Sequence, residues 1–168
     1  LTPLPPLPNN RLTCMLANVR PVQGWSFGVA SDPAFVVPRE VDLLNTATGE
    51  LNGGEGPAFL HVDIQDDRSG VVMAAIIEAG HTDPPETLPP ANAHRLLNIT
   101  YGPGPRGTPG QAYPVRYTGT LGEPPVQVLF DHIHAADLPA IADGELHHES
   151  ARVGTVASEG SLVAALHP

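Results

Sequence analysis

Histidines are the residues of this sequence that most readily suggest chemistry. His132 and His134 lie two apart on a predicted strand, so both side chains would point to the same face. Such a pair can supply two imidazole ligands to a metal ion. A third ligand would have to come from His147, His148, His61 or a carboxylate, and no spacing requires it. A polar strand face exposed to solvent is therefore favoured over a metal-dependent enzyme.

Acidic residues offer two further kinds of site. Asp63, Asp66 and Asp67 lie near a turn and resemble calcium ligands, but the ligand spacing of a known calcium loop is missing. Carboxylate pairs suited to glycoside hydrolysis can be drawn from any acidic β-protein. Gly24-Trp25-Ser26-Phe27-Gly28 has Gly-x-Ser-x-Gly spacing, but it lies within a predicted strand and not at the strand-to-helix turn that exposes a nucleophilic serine. We therefore expect no catalytic residues, no cofactor and no metal ion.

Aromatic residues could form a sugar-binding platform, but they make up only 5% of the chain. Trp25 and Phe27 alternate along one predicted strand, so they share a face, and the alternation places that face in the core. Asn98 begins an Asn-Ile-Thr glycosylation motif within another predicted strand, which makes glycans a candidate partner. Cys14 lies in an apolar run and is expected to be a buried, inert thiol.

The charge of the chain excludes several classes of partner. Eight basic residues, all arginine, stand against 18 acidic ones, and the formal net charge is −10. Nucleic acids and anionic membrane surfaces require a basic footprint, so neither is expected to bind. No run approaches the roughly 20 apolar residues of a membrane span, so no membrane insertion is expected. The first residue is Leu1 rather than methionine, which suggests either a processed protein or an incomplete chain.

Turn-forming residues determine the predicted fold class. Twenty prolines and 17 glycines are spread along the chain, and residues of these types at such frequent intervals interrupt long helices. About nine short strands can be read at intervals typical of a β-sandwich or barrel. We therefore predict an all-β jelly-roll or immunoglobulin-like sandwich with little or no helix. Residues 1–10 form a proline-rich arm, residues 11–154 the sandwich, and residues 155–168 an extension.

Two stretches carry more detailed expectations. "AFVVPREVDLL" (34–44) contains Pro38, which predicts an edge position or a bulge. "AFLHVDI" (58–64) and "VVMAAIIEA" (71–79) are separated by a polar turn. They predict a hairpin whose second strand is buried on both faces.

Several segments together resemble cohesin-type modules. They are "VQGWSFGVASDPAFVVPREV", "SGVVMAAIIEA", "LPPANAHRLLNITYGP" and "DGELHHESARVG". The "VQGWSFGV" motif also resembles surface modules of environmental bacteria. The likeness covers roughly residues 11 to 154 and implies an extracellular, non-enzymatic jelly-roll sandwich on the cell surface. Cohesin-type modules begin with a full strand where this chain has only the proline-rich arm, and this chain has an extra apolar segment, "SLVAAL", after the last shared strand.

A missing strand and a spare one suggest strand complementation, as in pilins. We expect a structural protomer of an extracellular filament or surface layer whose partners are copies of itself. The candidate donors of a strand are Leu162, Val163, Ala165 and Leu166, or Leu4 and Leu7 in the arm. The acceptor groove is expected at Leu12, Cys14, Leu16, Ala151 and Val153.

Two alternatives stay open. The extension could fold back onto its own sheet and leave a self-contained domain. The chain could then be a monomeric cohesin-like recognition module that binds a partner protein or a carbohydrate through one sheet face.

Overall fold

The computed structural model describes residues 11–79, 85–108, 111–126, 129–132, 144–150 and 162–165. These residues form ten strands and one short helix. In chain order they are β1 (Arg11–Asn18), β2 (Val22–Ser31), β3 (Val36–Asp42), α1 (Ala47–Gly54), β4 (Phe59–Ile64), β5 (Gly70–Ile76), β6 (Ala91–Pro103), β7 (Ala112–Thr118), β8 (Leu129–His132), β9 (Gly144–Ser150) and β10 (Leu162–Ala165).

The strands form two antiparallel sheets. A four-stranded sheet has the order β3-β6-β1-β9, and a six-stranded sheet has the order β10-β7-β2-β5-β4 with β8 also paired to β2. The predicted all-β sandwich with little helix is therefore confirmed. The proline arm, residues 133–143 and most of the extension lie outside the described residues.

The core forms between the two sheets because strands alternate their side chains between faces. In β1, Leu12, Cys14 and Leu16 are at most 2% exposed, whereas the residues between them are half-buried. From the other sheet, Trp25 and Phe27 of β2 are 3% and 0% exposed. Both aromatic residues therefore lie in the core, on the face that the alternation indicates.

Strand β2 is the central strand of the six-stranded sheet. One edge pairs with β5 along most of its length. The other edge is shared, because β8 pairs with residues 22–26 and β7 pairs with residues 28–31. Strands β7 and β8 thus lie end to end, and the chain leaves the sheet between them.

The expectations for Pro38 and for the hairpin agree with the structure, but the second strand of the hairpin is not buried on both faces, because Ile76 on its outer face is 48% exposed. Strand β3 is an edge strand, and its register with β6 shifts between Pro38 and Glu40. Strands β4 and β5 form the hairpin, and β5 lies between β2 and β4 with most of its residues buried. Helix α1 begins after Thr46, whose Oγ1 accepts a hydrogen bond of 3.1 Å from Gly49 N.

Gly70 marks the close approach of β5 to β2, which gives a test of the fold. A Cβ atom at this position would overlap the carbonyl oxygen of Val29, a backbone atom that cannot rotate away. We expect Gly70→Ala to lower the free energy of unfolding by about 1–3 kcal/mol, measured by urea denaturation. The exposed turn variant Asp66→Ala is the control and should change stability little. Equal stability of both variants would contradict this packing.

Candidate functional site

A hollow on the outer face of the six-stranded sheet is the main surface feature in the described part of the chain. Its volume is about 390 Å³, and it lies over β2, β5 and the start of β4. Small residues form its floor, because Gly24, Ser26 and Ala74 occupy the outward positions of β2 and β5. A hollow of this size lies within the usual range of ligand pockets.

Large apolar side chains border the hollow. Phe59 of β4 and Ile76 of β5 are register partners, and each is 48% exposed. Ile76 is also the register partner of Gly24 in β2. Phe59, Ile76 and Gly24 therefore form one row across the three strands, with the large residues at one end and glycine at the other. Glu78 and Gln23 complete the rim. An exposed aromatic–aliphatic pair beside a hollow is typical of an interaction surface.

Strand β4 adds an open backbone edge to this surface. The backbone N–H of Ile77 donates a hydrogen bond to the carbonyl oxygen of Gln23 in β2. The backbone groups of odd-numbered residues in β5 therefore point towards β2, and those of even-numbered residues point towards β4. In β4, the backbone groups of Leu60 and Val62 therefore point away from β5. No described strand pairs with them there. Leu60 is also 39% exposed, which leaves this edge apolar as well as unpaired.

The candidate donor residues occupy a defined position. Leu162, Val163 and Ala165 lie in β10, which pairs antiparallel with β7 of the same chain, Leu162 opposite Val115. Strand β10 thereby forms the outer edge of the six-stranded sheet. Leu4, Leu7 and Leu166, the other donor candidates, lie outside the described residues.

The candidate acceptor residues lie elsewhere. Leu12, Cys14 and Leu16 point into the core from β1, and both edges of β1 are paired, with β6 and β9. A strand added beside β1 would have to displace one of these neighbours. Ala151 and Val153 lie outside the described residues. The strand that receives the candidate donor in this structure is β7.

The backbone separates the histidines that were considered as metal ligands. His132 lies in β8 on the six-stranded sheet, whereas His147 and His148 lie in β9 on the four-stranded sheet. His134 lies outside the described residues. The described residues contain no group of three or more histidine, cysteine or acidic side chains placed to hold a metal ion.

The acidic turn after β4 is held together by its own hydrogen bonds. Asp67 Oδ1 accepts from Ser69 N at 2.9 Å, and Asp63 Oδ2 accepts from Gln65 Nε2 at 2.8 Å. The hydrogen bonds from Ser69 lower the pKa of Asp67. These carboxylates therefore shape the β4–β5 turn.

Asn98 is the centre of a polar network on the outer face of the four-stranded sheet. Its Nδ2 donates to Asp42 Oδ1 at 3.0 Å and to Leu44 O at 3.1 Å, and its Oδ1 accepts from Thr13 Oγ1 at 2.8 Å. Arg11 completes the network with an ion pair to Asp42 at 2.6 Å. Asn98 is 4% exposed, and its amide nitrogen has both protons engaged. The folded domain therefore leaves no room for a glycan on this nitrogen.

Cys14 is buried where it cannot act as a nucleophile. Burial raises the pKa of its thiol from 9.0 to about 12, although a hydrogen bond with Tyr117 partly opposes the shift. Burial also raises the pKa of Tyr117 well above its usual value. This contact joins β1 to β7 across the core, and the Tyr117 ring meets Phe27 edge-to-face at 5.5 Å.

The exposed pair that borders the hollow was not recognised in the sequence. "VVMAAIIEA" looks buried on both faces, yet Ile76 and Ile77 are adjacent and must point to opposite faces. Ile77 is fully buried, so Ile76 faces outwards. The adjacent Ile76 and Ile77 therefore indicated in the sequence that one isoleucine faces outwards. To recognise the exposed pair Phe59 and Ile76, however, one had to know that β4 is an edge strand.

The Asn98 network gives a second test. Asn98→Ala would leave Asp42 and Thr13 without a shared partner, and we expect a loss of about 1–3 kcal/mol in the free energy of unfolding. The exposed Asn92→Ala is the matched control and should change stability by less than about 0.5 kcal/mol. Chemical denaturation measures both. Equal values would show that the network contributes nothing.

Cys14 gives a prediction of pH dependence. The unfolded thiol loses its proton above pH 9, whereas the folded thiol keeps it up to about 12. The unfolded state therefore binds fewer protons in this interval, and stability should fall as the pH rises from 9 towards 12. Cys14→Ala should show a shallower fall. At pH 8 a thiol reagent should label the native protein far more slowly than the denatured protein, and equal rates would contradict the burial.

Comparisons with known proteins were made for the whole sequence. Within the described residues, no helix has the length and apolar character needed to cross a membrane. No model of a known protein family matches the chain, and no curated protein matches it significantly.

Proposed function

We propose that this chain is a structural protomer of an extracellular filament or surface layer, and that copies join head-to-tail by exchanging β10. The observation that carries the proposal is the position of β10. It is a four-residue strand that completes the edge of β7 and follows the last strand of the other sheet. A short terminal strand at a sheet edge is suited to exchange between copies.

The pairing of β10 with β7 is weak enough to be exchanged. It comprises four residue pairs, and one of them places Val163 opposite Pro114, which has no backbone N–H to donate. Each remaining backbone hydrogen bond contributes about 1 kcal/mol net. Closure within one chain is therefore favoured by contacts worth only a few kcal/mol.

Exchange between copies would preserve these pairs. The register of Leu162 opposite Val115 is the same whether β10 comes from its own chain or from a neighbour. Residues 151–161 connect β9 to β10 and can span about 36 Å when extended, which is enough to reach an adjacent copy. Because donor strand and acceptor edge are different surfaces, repeated exchange would generate an open filament.

The extracellular location and the absence of catalysis belong to the same proposal. They are supported by the likeness to cohesin-type modules and by the lack of a catalytic constellation in the sequence. Polymerisation through backbone pairing also suits a chain with a net charge of −10, because a strand pair needs no complementary charges.

The alternative function is that of a monomeric recognition module. The observation that favours it is the hollow with its exposed pair Phe59 and Ile76, a surface that a partner protein or a carbohydrate could cover. In that case β10 would close its own sheet permanently.

Electron microscopy of the native protein at neutral pH tests the proposal, together with a chain truncated after Ala157. We expect filaments from the full chain and monomers from the truncated one, because the truncation removes all four paired residues of β10. A chain truncated after Ala165 retains these residues and is the matched control, expected to polymerise.

The other outcomes discriminate between the alternatives. If both the full chain and the chain ending at Ala157 form filaments, the donor strand is the proline arm and not β10. Monodisperse monomers from the full chain would contradict the filament and favour the recognition module. Leu60→Pro removes the N–H on the free side of β4, and Leu60→Ala is the control for loss of the side chain. Loss of filaments in the proline variant alone would identify β4, and not β7, as the acceptor.

A further inference from the structure

The hollow requires an apolar occupant. Phe59 and Ile76 each leave about half of their surface in solvent, and the floor between them and β2 consists of small residues. The hollow spans β2, β5 and β4, a width of two strand spacings or about 10 Å. Glu78 on the rim disfavours an acidic occupant, and the chain as a whole carries a net charge of −10.

The proline arm has the composition of such an occupant. Its sequence, "LTPLPPLPNN", contains no charged residue. Its prolines favour the polyproline II conformation, which has three residues per turn. Leu1, Leu4 and Leu7 are spaced by three, so in that conformation all three leucines lie on one face. Successive leucines are then about 9 Å apart, which matches the width of the hollow.

Arg11, where the arm joins the sandwich, and the hollow lie at opposite ends of the sandwich. The hollow is beside Gly24, in the first half of β2. The arm joins the sandwich at Arg11, which pairs with Thr100 of β6. The end of β6, Pro103, pairs with Val36 at the start of β3, just beyond the end of β2. To reach the hollow of its own chain, the arm would have to turn back along the length of the sandwich.

We infer that the hollow of one copy binds the proline arm of the next, with Leu1, Leu4 and Leu7 packed against Phe59 and Ile76. Proline-rich segments commonly bind aromatic-lined grooves in this way, because a preformed helix loses little entropy on binding. This inference rests on the proposed assembly and adds to it a second contact between copies.

Cysteine cross-linking tests the contact in the full chain. The variant with both Leu4→Cys and Ile76→Cys is treated with a short bis-maleimide and analysed on a denaturing gel. The native Cys14 is fully buried and does not interfere in the folded protein. We expect a ladder of dimers, trimers and larger species. The matched control pairs Leu4→Cys with Asn92→Cys, an exposed position on the four-stranded sheet, and should give no ladder.

Mixing separates binding between copies from binding within one chain. Chains carrying only Leu4→Cys, mixed with chains carrying only Ile76→Cys, should give cross-linked dimers and nothing larger. Adding Leu1→Gln and Leu7→Gln to the first chain should reduce the yield about tenfold, whereas Thr2→Gln, on another face of the arm, should not. A cross-linked monomer in the double variant, or a yield no higher than the control, would overturn the inference.

The same cross-link distinguishes this inference from the proposed function. Filaments that form without any cross-link between positions 4 and 76 would leave the exchange of β10 standing and exclude arm binding. A cross-linked ladder from a full chain that shows no β10-dependent filaments would leave arm binding standing and contradict strand exchange. Capture of a different protein by the hollow, with no cross-link between copies, would overturn arm binding in favour of the recognition module.

Discussion

The packing of β2 against β1 is the constraint on which the rest of the described structure depends. Strand β2 has β5 on one edge and both β7 and β8 on the other, so three strands take their register from it. Its aromatic residues Trp25 and Phe27 then meet Leu12, Cys14 and Leu16 from the opposite sheet. The hydrogen bond between Tyr117 and Cys14 extends the contact to β7. Displacing β2 would therefore disturb both sheets.

This central position also determines which surfaces remain available. A strand that is paired on both edges cannot accept a further strand. Within the described residues, the edge strands are therefore β3 and β9 in one sheet and β4, β10 and β8 in the other. Pro38 and a register shift protect β3. Strand β4 carries no such protection and exposes Leu60. In the six-stranded sheet, β4 and β10 thus form edges on opposite sides of β2.

The fold could be predicted from the sequence more fully than the candidate site. The fold was predicted from patterns that depend only on neighbouring residues in the sequence. These patterns are the proline and glycine content, the alternation in β1 and β2, and the position of Pro38. The acceptor expected at Leu12, Cys14 and Leu16 depended on strand order, which no local pattern contains. The same holds for Ile76, whose exposure follows from its neighbour β4. For Asn98, the local Asn-Ile-Thr motif indicated a glycosylation site. The motif could not show that the side chain is buried by contacts with Asp42 and Leu44, which are distant in the sequence.

The two proposed contacts between copies, exchange of β10 and binding of the proline arm, are each weak. Exchange of β10 contributes a few backbone hydrogen bonds, and a proline arm contributes a few buried leucines. Neither would hold two free molecules together at low concentration. When both act between the same pair of copies, the first makes the second effectively intramolecular, and the combined affinity exceeds either one by orders of magnitude. An acidic protein gains from this arrangement, because neither contact brings carboxylates of neighbouring copies together.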